Sequence, residues 1–92
     1  MSIDAATPGW TDSDYLPAAE LFAMRRLGRK RDLYYRRFDS TADAIKFAIE
    51  DMPAGSSNIT IETEFSRLDA ARIAELYSAE RFPLRRRPQG AA

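Results

Sequence analysis

The chain has 92 residues, 45% of them hydrophobic, and its 14 Lys and Arg residues balance 14 Asp and Glu residues. This length accommodates one domain, and the apolar fraction is typical of a globular chain. The sequence contains no cysteine and no histidine. Disulfides, thiolate chemistry, cysteine-ligated zinc and catalysis by a serine–histidine pair are therefore excluded. We expect a protein that is not an enzyme and holds neither a cofactor nor a metal ion.

The two ends of the chain lack the patterns of regular structure. Residues 1–15 are rich in Thr, Ser, Asp, Pro and Gly, which predicts a flexible N-terminal segment. Residues 83–92 contain two prolines and three consecutive arginines, which predicts a flexible basic tail. A single α+β domain is expected between them, over residues 16–82. The sequence has neither a secretory signal nor an apolar stretch of transmembrane length, so we expect a cytoplasmic protein without a membrane partner.

Two segments carry apolar residues at helical spacing behind a capping signal. Ser40 and Asp43 form a capping box for the first helix, which ends towards Pro53. Ser66 and Asp69 are expected to cap the second helix in the same way. The apolar stripes are Ala44, Ile45, Ala48, Ile49 and Met52 in the first helix, and Ala70, Ile73, Ala74, Leu76 and Tyr77 in the second.

Strand patterns lie between and before these helices. Residues 58–65 alternate apolar and polar side chains, which predicts a half-buried strand. Residues 33–38 are rich in aromatic side chains and predict another, parallel to the first because a helix connects them. A third strand is expected at residues 21–27, joined to the second by a five-residue hairpin loop at residues 28–32.

These elements predict a small β-β-α-β-α domain of the α+β class, with a mixed three-stranded sheet and two helices. An alternative order, α-β-α-β-α, has residues 17–27 in a helix, because Ala, Glu, Leu, Met and Arg favour helix. The strand interpretation is preferred because a two-stranded sheet alone is only marginally stable.

Charge is distributed unevenly along the chain. Residues 25–37 hold seven bases and one acid, giving +6, whereas residues 39–64 hold six acids and one base, giving −5. Such asymmetry indicates a binding surface. Alternatively, the strand arginines pair with Glu62 and Glu64 on a neighbouring strand. The candidate residues for binding a protein partner or nucleic acid are Arg25, Arg26, Arg29, Lys30, Arg31, Tyr35, Arg36 and Arg37.

The predicted function is that of a small protein-interaction module. If both helices cover one side of the sheet, the other side is open and available to a protein partner or to a second copy of the chain. The basic hairpin at residues 25–37 borders that open face. The alternative is an accessory nucleic-acid-binding protein, in which arginines contact phosphates and aromatic rings stack under bases.

The stretch from Leu33 to Pro83 includes the segment YYRRFDSTADAIKFAIEDMP. A second segment, LYSAERFPLRRR, begins within this stretch and continues past Pro83. This part of the chain resembles short, uncharacterised bacterial proteins with no assigned activity. The resemblance implies a small free-standing bacterial protein. It implies no activity and no site residues.

Overall fold

The structure is a computed structural model that describes residues 11–53 and 55–86, without the side chains of Asp12 and Leu27. It contains both predicted helices and, within these residues, four strands instead of three. The elements are a 3-10 helix (Asp12–Tyr15), β1 (Ala19–Leu27), β2 (Lys30–Phe38), α1 (Thr41–Glu50), β3 (Ser56–Thr63), β4 (Arg67–Leu68) and α2 (Ala70–Ser78). The prediction of a small α+β domain with two helices is confirmed.

The four strands form an antiparallel sheet in the order β2-β1-β3-β4. The predicted mixed, three-stranded sheet is therefore wrong. β2 and β3 do run in the same direction, as expected for two strands joined by a helix. They do not pair with each other, because β1 lies between them and is antiparallel to both.

The helical alternative for residues 17–27 is also wrong, since residues 19–27 form β1. Ala19, Leu21 and Ala23 are buried at every second position, which is the spacing of one strand face. Pairing on both sides of this strand satisfies its backbone and outweighs the helix propensity of its residues.

The β1–β2 hairpin turns through only two residues, Gly28 and Arg29, instead of the predicted five. Gly28 has a φ of +62°. Glycine with positive φ at the first central position is typical of a type II′ hairpin turn. The turn matches the twist of the strands, and β2 begins at Lys30, three residues nearer the turn than predicted, whereas β1 ends at residue 27 as predicted.

β3 carries a bulge next to β1. Phe22 pairs with Thr60 and Met24 pairs with Ser57, so β3 holds one extra residue between these pairs. Asn58 has a φ of +53°, a conformation that asparagine tolerates better than most residues. Beyond the bulge the pairing is regular, so Ile59 and Ile61 share the covered side of the sheet, where Ile61 is buried and Ile59 packs against the core.

Both helices begin at a side-chain cap. The Ser40 side chain accepts a hydrogen bond from the Asp43 amide at 3.1 Å, as predicted for α1. At α2 the cap is Asp69, which accepts from the Arg72 amide at 2.9 Å. The expectation that Ser66 begins this helix is wrong, because β4 separates Ser66 from it. No helix in the described part of the chain is long and apolar enough to cross a membrane.

The core lies between the helices and one face of the sheet, and it includes a residue from the predicted N-terminal segment. Tyr15 is fully buried, and its hydroxyl donates to the Leu76 carbonyl at 3.1 Å. Residues 1–10 of that segment, including Trp10, lie outside the described residues. The buried cluster comprises Tyr15, Ala19, Leu21, Ala42, Ala44, Ile45, Ala48, Ile61, Leu68, Ile73, Leu76, Tyr77 and Phe82.

The segment after α2 packs back onto the helices. Phe82 is buried, and Leu84 packs against the core. Arg86 donates through Nε to the Tyr77 carbonyl at 2.6 Å, and its guanidinium lies over the Tyr77 and Phe82 rings. Residues 83–86 are the part of the predicted basic tail that the structure describes, and residues 87–92 lie outside it.

Candidate interaction surface

The side of the sheet opposite the helices carries four cross-strand pairs from the β1–β2 hairpin. Directly paired residues in an antiparallel sheet share a face, and alternation along the strand selects every second residue. We call these eight residues the hairpin face. Its four pairs are Glu20 with Arg37, Phe22 with Tyr35, Met24 with Leu33, and Arg26 with Arg31.

The centre of the hairpin face is apolar and accessible. Leu33 is 64% exposed and Tyr35 is 49% exposed, although both lie in the middle of a regular strand. The Phe22 ring lies against Tyr35, with 5.2 Å between their centroids, and Met24 is half-buried beside Leu33. The four side chains make a continuous apolar strip across two strands, which is the composition of a contact surface.

One end of the hairpin face is basic. We call Arg26, Arg29, Lys30 and Arg31 the basic tip. None of these four side chains has an ion pair with another described residue. Arg26 and Arg31 are paired directly across the two strands, and like charges in that position destabilise a sheet. The tip therefore has cationic groups that an anionic partner would stabilise.

The other end of the face is neutralised within the protein. Glu20 accepts a hydrogen bond from the Tyr35 hydroxyl at 2.7 Å and pairs with Arg37 at 3.6 Å. On the neighbouring strands, Glu62 pairs with Arg67 at 3.5 Å. The predicted pairing of the hairpin's strand arginines with Glu62 and Glu64 does not occur among the described residues. The arginines of β2 are separated from β3 by β1, and those of β1 lie at the far end of the strand from Glu62.

The predicted binding residues are divided between the two faces. Arg26, Arg31, Tyr35 and Arg37 lie on the hairpin face. Arg29 lies in the turn, and Lys30 begins β2 opposite residue 27. Arg25 and Arg36 share the other, helix-covered side. The Arg36 guanidinium lies 4.8 Å from the centroid of the Phe47 ring. The Arg25 Nε atom is buried, with no hydrogen-bond partner among the described residues.

Sequence reasoning missed the apolar centre of this face. Phe22, Met24 and Leu33 are not among the candidate residues predicted from the sequence, which are basic except for Tyr35. A signal was present, since alternate residues from Glu20 to Arg26 and from Arg31 to Arg37 read charged, apolar, apolar, charged. Tyr34 and Tyr35 face opposite sides of the sheet, and Tyr34 stacks on Phe47 of α1 with 6.3 Å between the ring centroids.

The hydrogen bond to Glu20 raises the pKa of Tyr35 above its ordinary value of about 10, because the carboxylate stabilises the protonated hydroxyl. A raised pKa in the folded state contributes stability that is complete below the ordinary value. That stability is lost as the pH rises through the raised pKa.

We expect Glu20→Gln to lower the pKa of Tyr35, because the phenolate would no longer form beside a carboxylate. Alkaline titration of the phenolate absorbance measures this, with Tyr35→Phe used to identify the contribution of Tyr35 among the four tyrosines. Glu62→Gln is the control, since Glu62 contacts Arg67 instead. Equal titration curves for the two Gln variants would contradict the assignment.

No three acidic side chains in the described ranges lie close enough together to hold a metal ion. Comparisons with protein-family models, with curated proteins and with solved structures found no match for this chain.

Proposed function

We propose that this chain is a non-enzymatic interaction module that binds an acidic protein partner through the hairpin face. The observation that carries the proposal is the apolar strip next to the basic tip. The tip includes the opposed Arg26–Arg31 pair, neither member of which forms an ion pair with another described residue. A surface of this kind favours a partner that presents apolar side chains together with carboxylates.

The energetics favour such a partner. Burial of apolar surface contributes roughly 25 cal/mol per Å², so covering Leu33 and Tyr35 supplies affinity. A carboxylate placed between Arg26 and Arg31 relieves their mutual repulsion and forms charge-assisted hydrogen bonds. The apolar strip contributes binding energy, and the basic tip determines which partners approach.

Two features favour a protein partner over a nucleic acid. Leu33 and Met24 are aliphatic, whereas single-stranded nucleic acids bind best to aromatic stacking surfaces. The chain as a whole also has zero net charge, unlike most basic nucleic-acid-binding domains.

The test is a selection from displayed fragments of the source organism's proteome, using the full chain as bait. We expect fragments rich in Asp and Glu that bind wild type and are lost with Arg31→Glu. This substitution places a carboxylate opposite Arg26, so the variant should be at least as stable as wild type. Arg85→Glu is the matched control, because it makes the same charge change at an exposed residue outside the hairpin.

Selected fragments that bind Arg31→Glu as well as wild type would overturn the proposal, as would an absence of selected fragments. Single-stranded DNA and RNA are tested in parallel. Nucleic-acid binding that weakens steeply with salt and is lost only with Arg31→Glu would overturn it in favour of a nucleic-acid partner.

A further inference from the structure

The sheet has two edges, and they differ in what they offer a partner. The strand order places β2 at one edge and β4 at the other. β4 is only two residues long, and such short edge strands resist pairing with other chains. β2 is nine residues long, and seven of these residues are exposed. The accessible edge of the sheet is therefore β2, which also carries half of the hairpin face.

β2 is regular enough to serve as a template. Its pairing with β1 is continuous from Ala19–Phe38 to Leu27–Lys30 without a bulge. The backbone N–H and C=O groups on its outer side consequently form an evenly spaced row. In the described part of the chain no other strand pairs with that side.

Charge excludes a second copy of β2 as the occupant of this edge. The strand holds Lys30, Arg31, Arg36 and Arg37 against Asp32 alone, which gives it a net charge of +3. Pairing two β2 strands would place two such charges along one shared edge, where like charges repel. The occupant that fits is an acidic segment from a different protein.

We propose that the partner adds an extended acidic segment to the sheet as a fifth strand beside β2. This inference rests on the proposed function and states how the partner binds. Main-chain hydrogen bonds along the edge would supply affinity, and alternate side chains would supply specificity.

The exposed side chains of β2 define the segment that it recognises. Arg31, Leu33, Tyr35 and Arg37 follow one another at alternate positions on the open face. A matching strand reads acidic, apolar, apolar, acidic at alternate positions, and this pattern is the same in both strand directions. On the other side of the sheet, Tyr34 and Arg36 already contact Phe47. The side chains on the open face therefore determine which segment β2 recognises.

The probe is a heptapeptide with glutamate at its first and last positions, apolar residues at its third and fifth, and threonine elsewhere. Two N-methylated forms carry methyl groups on opposite sets of alternate amides, since an added strand directs only one set towards β2. We expect one methylated form to bind like the parent. The other form should bind at least about tenfold more weakly, because it loses several main-chain hydrogen bonds.

Binding is measured by fluorescence anisotropy, and amide exchange identifies the protected strand. Protection should appear in β2 and not in β4. Arg31→Glu should weaken binding about tenfold, whereas Arg85→Glu should not. Equal binding of the two methylated forms would overturn strand addition and leave the proposed function intact. The same conclusion follows if no peptide binds while acidic fragments are still selected. If peptides and fragments both fail to bind, the inference and the proposed function fail together.

Discussion

Replacing Tyr15 with alanine is expected to lower the free energy of unfolding by about 3–5 kcal/mol, the usual cost of removing a buried aromatic side chain. Tyr15 is fully buried, packs edge-on against Phe82 at 5.8 Å and donates to the Leu76 carbonyl. A domain of this size has a total stability of about 4–10 kcal/mol. The substitution should therefore remove most of it, as measured by urea unfolding monitored by circular dichroism.

Two control variants test whether the loss of stability comes from the buried ring of Tyr15. Tyr15→Phe keeps the ring and removes only the hydroxyl, so it should cost about 1–2 kcal/mol and remain folded. Leu16→Ala changes the neighbouring residue, which is largely exposed, and should shift stability by less than about 0.5 kcal/mol. If Tyr15→Ala were no more destabilising than Leu16→Ala, the segment before β1 would not be part of the folding unit.

Lys46→Met is expected to cost about 2–4 kcal/mol, because it removes the ammonium group that lies against the buried carboxylate of Glu50. The Glu50 side chain has 0% exposure, and the Lys46 ammonium lies 2.8 Å from one of its oxygens. The other oxygen accepts a hydrogen bond from Tyr77 on α2. The expected cost is below that of a wholly buried pair, because the Lys46 side chain is 32% exposed and partly screened by solvent. Denaturant unfolding at neutral pH measures the change.

The double variant Lys46→Met/Glu50→Gln should recover most of this loss, since a neutral amide still accepts the Tyr77 hydroxyl and needs no cation. Arg67→Met removes the exposed ion pair with Glu62 and should cost less than about 1 kcal/mol. Similar losses for Lys46→Met and Arg67→Met would show that the Lys46–Glu50 pair contributes only as a surface pair does.

The parts of the fold that sequence predicted correctly depend on local signals. Ser40 caps α1 because its hydroxyl reaches an amide three residues away, and the sequence alone specifies that spacing. The alternating side chains of β3 likewise indicate a strand with one buried face. Such patterns do not depend on which element packs against them.

The features of the fold that the sequence does not predict depend on contacts between residues that are distant in the chain. β4 forms because Arg67 and Leu68 pair with β3, and a two-residue strand has no pattern of its own. The position of β1 between β2 and β3 follows from pairing on both of its sides, which no single segment encodes. Tyr15 follows four polar residues in the sequence, at the end of a segment without apolar periodicity, so only the packing of α2 and Phe82 explains its burial.

The sequence indicates only part of the candidate site, because the rest depends on how the two strands of the hairpin pair. A run of bases shows that charge is concentrated, but side-chain alternation assigns Arg26 and Arg31 to one face and Arg25 and Arg36 to the other. That division required the register of the hairpin, which the predicted five-residue loop would have shifted. The apolar residues between the arginines become part of a surface only when both strands are aligned.

The central position of β1 also has a consequence for the order of folding. The hairpin joins neighbouring segments and should form within microseconds, whereas β3 must return to β1 across the whole of α1, from Thr63 back to Ala19. During that interval the nascent hairpin exposes the second edge of β1 as well as the outer edge of β2. The like charges of the basic tip should then disfavour pairing between nascent hairpins before the sheet is complete.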